Sequence, residues 1–332
     1  MSAASQDIGD SYAPTGGTLA VRLFGWVVVA TLFAFFANVY LSYWQGWPGA
    51  AAAFGAGSGQ AWLQALLYAL AVVGSIAFVA ASKQRSLRRD SLAMTAISAY
   101  VVRAAFWAVF LVGLADAVIS FLRVEALLAG LVGAELAQDL GRNQVRGPLV
   151  HMPLIVLSLV LAAFTRTLGF TWLALLVVMA ELLIVLSRFV FSYEQAFMGD
   201  LVRFWYGGLF LFASAHTLVE DGHVRVDVFY AAFPDERKGL VNALGSLLLG
   251  IPLCWVVLAI GFGQKSSIIA SPLLALEVTQ AGFGMYVKYL LAGFLAIFAG
   301  TMMVQFASYI LEGVADLRGD PGKRTSHAEI VH

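Results

Sequence analysis

Cysteine is nearly absent: Cys254, inside the apolar run Ile251–Ile260, is the only one in 332 residues. That excludes a disulfide framework and a cysteine-ligated metal site. A lone thiol in such surroundings fills space, because thiolate chemistry needs exposure and a nearby positive charge. Charge is scarce as well. Asp, Glu, Lys and Arg make up 12% of the chain, against about 25% in an average soluble domain. The 20 basic and 20 acidic residues cancel, so no net field draws nucleic acid. Histidines number five. His327 and His332 lie in the tail, His223 in a loop, and His151 and His216 at different depths of their apolar segments. A bis-histidine haem is therefore not expected. H-E-x-x-H and G-x-x-x-x-G-K-[ST] do not occur, which leaves a membrane protease or an ATP-driven pump without support. The cluster Gly55-Ala56-Gly57-Ser58-Gly59 reads as a turn. The expectation is a protein that is not an enzyme and has no cofactor or metal.

What the chain has in excess is apolar surface, 61% of its residues. At about 20 apolar residues per spanning helix this allows roughly eight to ten crossings. The predicted fold class is an all-α integral membrane protein of about eight transmembrane helices. The segments are Val21–Tyr43, Ala61–Ala81, Ile97–Leu122, Leu149–Phe164, Thr171–Phe191, Leu201–Val219, Lys238–Phe262 and Met285–Glu312. The first lacks the basic leader and cleavage site of a signal peptide, so it is expected to be retained.

Lys and Arg in the connecting segments set the orientation. Arg22, Lys83, Arg85, Arg88, Arg89, Arg166, Arg225, Arg237, Lys238, Arg318, Lys323 and Arg324 fall on one side, twelve in all. Arg123, Arg142, Arg146, Arg188, Arg203, Lys265 and Lys288, seven in all, fall on the other. An even number of spans with both termini cytoplasmic satisfies this bias.

The resulting organisation is a cytoplasmic N-terminal tail (1–20), an N-terminal membrane extension of about four spans (21–165), a C-terminal four-span set (171–317) and a cytoplasmic tail (318–332). Within the extension, 123–147 is the longest polar stretch. Leu127, Leu128, Leu131 and Val132 share one helical face, so it reads either as an amphipathic helix on the periplasmic surface or as a plain connecting loop. The two halves show no convincing inverted repeat, which speaks against a self-sufficient transporter.

Four ionisable residues lie in or near the spans: Arg103, Asp116, Glu181 and His216. Such groups are costly in lipid and point to function by default. They read either as a coupling-ion or proton site, or as groups that pair to lock helices together or snorkel toward headgroups. Glu181 is nearest the centre of its span. On the last and seventh spans, Ala292, Ala296 and Gly300, and Ala259 and Gly263, are spaced for close helix approach. Trp205, Tyr206, Tyr286 and Tyr289 near span ends suit an interfacial aromatic belt.

The most distinctive wording begins after Glu181. Arg188-Phe189-Val190-Phe191 ends a span, Asp200 precedes Arg203 by three residues, and Gly222-His223-Val224-Arg225-Val226-Asp227 follows the next span. By its alternation this last string is an amphipathic connector, with valines toward the membrane. Taken together these strings resemble the small membrane subunit, DctQ type, of tripartite ATP-independent periplasmic (TRAP) transporters. The Phe233-Pro234 pair and Ser271-Pro272 fit the same pattern, and the resemblance covers about Trp172–Leu317. It implies a bacterial inner-membrane subunit that braces a large permease subunit of DctM type. A periplasmic solute-binding protein of DctP type would deliver an organic solute, often a carboxylate, for uptake coupled to an ion gradient. Arg188, Asp200, Arg203, Gly222, His223, Arg225 and Asp227 would then be motif or partner-contact residues. Family members commonly have four spans, so Val21–Phe164 is a departure. The alternative is a self-sufficient carrier or channel using Glu181, Arg103 and Asp116.

Overall fold

The computed structural model describes residues 16–322 except 56, 167–168, 195, 220–229, 231 and 279–283. Gly222, His223, Arg225 and Asp227 lie outside the described residues, as do His327 and His332. All regular structure among the described residues is helical. Eight long helices carry the chain: α1 (Gly16–Tyr43), α2 (Gly59–Ala81), α3 (Leu87–Val124), α4 (Asn143–Phe164), α5 (Phe170–Phe191), α6 (Ala196–Val219), α7 (Asp235–Gly261) and α8 (Lys288–Leu317). Seven are long and apolar enough to cross a membrane. The eighth, α6, has the length at 24 residues, but its sequence includes Asp200, Arg203 and His216.

The helices fall into two compact units. One joins Met1–Ser98, Thr217–Val256 and Met302–His332. Its α1–α2 hairpin is closed at one end by buried amides. The Gln64 carboxamide oxygen accepts from Gly49 N at 2.8 Å, and its nitrogen donates to Asn38 Oδ1 at 3.0 Å and Ser42 Oγ at 2.9 Å. At the other end the fully buried Arg22 donates to Asp90 at 2.7 Å and to the Ser82 carbonyl and hydroxyl at 2.8 Å each. Arg85 shares the Asp90 carboxylate at 2.7 Å. Because backbone and side-chain polar groups find no water in a bilayer core, such satisfaction is a condition of folding there. Between the hairpin's ends, the Trp26 and Phe78 rings meet edge-on, 4.9 Å apart.

Arg88, at the start of α3, bonds Glu312 at 2.5 Å and Asp316 at 2.9 Å near the end of α8, and donates to the carbonyls of Asp320 and Pro321. The start of α3 and the end of α8 are therefore tied together. In the same unit, an added Cβ at Gly239 would lie 2.5 Å from the Gly313 carbonyl, and the converse holds. Backbones meet there with no side chain between.

The second unit joins Ala99–His216 and Val257–Thr301. Its core is aromatic: Phe212 meets Phe106 and Phe294 edge-on, and Phe204 lies 5.1 Å from Phe294. Trp205 is buried against Gly113 and donates its indole N–H to the Val109 carbonyl at 3.2 Å. The belt expected of Trp205, Tyr286 and Tyr289 does not form. Trp205 and Tyr289 are buried, Tyr286 is engaged by arginines, and Tyr206 alone is exposed. Each polar tip finds a protein partner, so nothing drives it to the headgroups.

The stretch 123–147 is not one amphipathic helix. Short helices Leu128–Val132, Ala134–Asp139 and Asn143–Arg146 replace it. Ala126 (φ 58°) and Gly133 (φ 88°) adopt left-handed backbone, which a continuing helix cannot hold. Of the four apolar residues expected to share a face, Leu128 is buried and Leu127, Leu131 and Val132 are exposed. The last short helix runs on into α4, so that span begins several residues before Leu149.

Candidate functional site

Asp116 sits near the end of α3 with no exposed side-chain surface. One carboxylate oxygen accepts from Arg146 Nη1 at 2.9 Å and from His151 Nε2 at 3.0 Å. The other accepts from the Tyr286 backbone N–H at 2.6 Å. With a proton on Nε2, His151 Nδ1 accepts from the Tyr289 hydroxyl at 2.9 Å. Arg146 also donates to the Leu140 carbonyl at 2.8 Å and lies 4.1 Å over the Tyr286 ring. The start of α4 and the approach to α8 thus close on one carboxylate of α3. The buried charges are paired and hydrogen-bonded, the condition under which an interior tolerates them.

The local backbone explains why Arg146 and His151 converge. In a regular α-helix, residues five apart point about 140° away from each other. Gly147–His151 instead forms one turn of π-helix, where bonding runs from i to i+5. The wider turn brings both side chains to the same acid. Gly147 also lets Leu276 approach, its would-be Cβ lying 3.2 Å from that side chain. Sequence reading assigned Arg146 to an outer connection and His151 to a span start. The available signal was the requirement that a buried Asp116 have a cation at its own depth.

Asp200, in the second turn of α6, is buried and accepts from the Met285 N–H at 3.1 Å, with Arg203 at 3.4 Å. The acid and the arginine three residues on are therefore brought together, although the Arg203 side chain is 76% exposed. Tyr289, in the first turn of α8, donates its N–H to the Glu277 carbonyl at 3.0 Å, and Lys288 pairs with Glu277 at 2.5 Å. Outside the spans, the Tyr193 hydroxyl donates to Glu125, which pushes its phenol up to about 12.

The four intramembrane ionisable residues do not form one site. Asp116 and Arg103 lie thirteen residues apart on α3, roughly 20 Å along the axis. Arg103 is half-buried and donates to the Ala162 carbonyl at 3.4 Å. The His216 ring lies 5.1 Å from Phe170. Glu181, expected to pair across helices if its role were structural, is exposed on α5 with no hydrogen bond or ion pair among the described residues. It stands about 15 Å from either end of its helix. Arg188, seven residues on, is exposed on the same stripe. Of the whole of α5, only Leu173 and Ala180 are buried.

Among the described residues, no group of three or more His, Cys, Asp or Glu could hold a metal ion. The comparisons place the second half of the chain. Residues 173–316 match the family described as tripartite ATP-independent periplasmic transporters, DctQ component. No curated protein and no solved structure matches the chain.

Proposed function

We propose, from the match of residues 173–316 to the DctQ component family, that this chain is the small membrane subunit of a TRAP transporter and braces a large permease subunit. The large subunit, of DctM type, would move an organic solute, a carboxylate by preference, inward with an ion gradient. A periplasmic binding protein of DctP type would deliver it. Both termini would face the cytoplasm of a bacterial cell, and the chain itself would carry out no catalysis.

The observation that supports a bracing role is Glu181. A carboxylate at mid-membrane normally faces a bundle interior or a partner group, yet this one lies open on the least buried of the seven candidate spans among the described residues. A large subunit covering the Glu181–Arg188 stripe would remove it from lipid. Asp116 points the same way: every oxygen of its carboxylate is already engaged, leaving it to fasten helices. A self-contained carrier would need its ionisable groups at one place, and Glu181, Arg103 and Asp116 are apart.

Purification of the full chain from its native membrane in mild detergent tests the assignment. A large membrane subunit should accompany it. A chain that purifies alone and carries solute into liposomes overturns the proposal.

A further inference from the structure

In the second unit, α3 and α5 leave between them a groove of about 530 Å³, within the range of about 300–1,000 Å³ usual for ligand pockets. Its walls are hydrocarbon and aromatic: Phe106, Trp107 and Phe110 from α3, Trp172, Leu175 and Leu176 from α5. The groove belongs to the membrane-facing surface, since Trp172 is 68% exposed. It lies on a different side of α5 from Glu181, which at 100° per residue stands half a turn from Trp172.

Two arginines lie beside the lining residues. Arg103 stands one helical turn before Phe106 and Trp107 and so shares their face. Trp107 donates its indole N–H to Thr165 at 3.1 Å, and Arg166 is the next residue. The Arg103–Ala162 and Trp107–Thr165 bonds bring the end of α4, and Arg166 with it, beside this face of α3. Neither arginine has an acidic partner among the described residues, and Arg103 spends its Nε on a carbonyl and keeps its terminal nitrogens free. Two cations without acidic partners beside an apolar groove suit an anion attached to a hydrocarbon tail. Phe110 lies about 10 Å further along α3, so the groove runs along that helix away from Arg103.

We infer that this groove holds one acyl chain of an anionic phospholipid, with Arg103 and Arg166 binding its phosphate. The lipid would fill the gap between the extension helix α3 and α5, the first helix of the DctQ region. Guanidinium suits the phosphate because it offers paired donors, and the indole and phenyl rings suit the chain because they are flat and apolar.

Native mass spectrometry of the full chain, released from nanodiscs of equal phosphatidylglycerol and phosphatidylethanolamine, tests this. Phosphatidylglycerol should be retained in preference. Arg166→Gln, at an exposed position outside the helices, should lower that retention about fivefold, and Arg103→Gln/Arg166→Gln further, as expected for about one unit of surface-charge attraction each. Trp172→Ala should weaken retention of both lipids without changing the preference. Equal retention of the two lipids, or retention unaltered in Arg166→Gln and in the double variant, overturns the inference. So does full displacement by inorganic phosphate, which would show an anion site without a chain. The readout is bound lipid, so it stands or fails separately from co-purification of a large subunit.

Discussion

Asp116 and Asp200, on different helices, accept hydrogen bonds from consecutive backbone amides, those of Tyr286 and Met285. These amides precede the first turn of α8, where N–H groups have no partner within the helix and negative charge is favoured. The two acids therefore fix where the last span begins, and Arg146 and His151 fix the first of the acids.

Removing one partner of this cluster should be severe. Arg146→Gln or Asp116→Asn strands a buried charge and is expected to lower stability by about 3–5 kcal/mol. Asp116→Asn combined with Arg146→Gln should recover part of that loss. Thermal unfolding of the detergent-solubilised chain, followed by size-exclusion, measures both, and a double variant worse than the sum of its parts would contradict the pairing.

A Cβ at Gly113 would sit 2.4 Å from the Trp205 indole nitrogen. Gly113→Val should therefore cost about 1–3 kcal/mol through overpacking, and Trp205→Phe in the same chain should relieve some of it. The same unfolding assay decides.

Glu181→Gln should leave the stability of the isolated chain within about 0.5 kcal/mol, as for an exposed substitution without partners. Recovery of the large subunit in co-purification should fall. A strongly destabilised isolated variant would mean that Glu181 works inside this chain.

Cys254 is the only cysteine and is 2% exposed, which gives a quiet background for labelling. Lys83→Cys and Pro321→Cys should react with an impermeant maleimide from the same face of the membrane. Reaction from opposite faces would contradict both the cytoplasmic placement of the two segments and an even number of spans.

The Tyr193 phenol, ordinarily near 10.0, is held up to about 12 chiefly by its hydrogen bond to Glu125. A group whose acid form is favoured by folding contributes fully below its unfolded value and loses that contribution as pH rises through the folded one. The Tyr193–Glu125 tether should thus persist to pH 10 and fail toward 12. In Glu125→Gln the phenolate signal of this one tyrosine should move to lower pH, read as an ultraviolet difference titration.

Apolar content made the helical membrane bundle legible, and the Arg188, Asp200 and Arg203 pattern pointed to the family that the 173–316 match names. What escaped reading has a common physical cause. The partners of Asp116 depend on a π turn, and no residue pattern at Gly147–His151 announces an extra residue in a helix. Tyr286 and Tyr289 looked like belt residues because their arginine, aspartate and histidine partners come from remote sequence. Glu181 was placed correctly at mid-span, but whether an acid there faces a neighbour or lies open depends on packing that a single helix does not encode.

The widened turn at Gly147–His151 has a consequence for how this region can vary. Exchanging one amino acid for another there alters contacts one at a time, whereas dropping a single residue would restore ordinary winding and rotate everything before it by more than a quarter circle. Arg146 would swing off its carboxylate even though no letter of the cluster had changed. In this segment the tally of residues is as strictly specified as their identity.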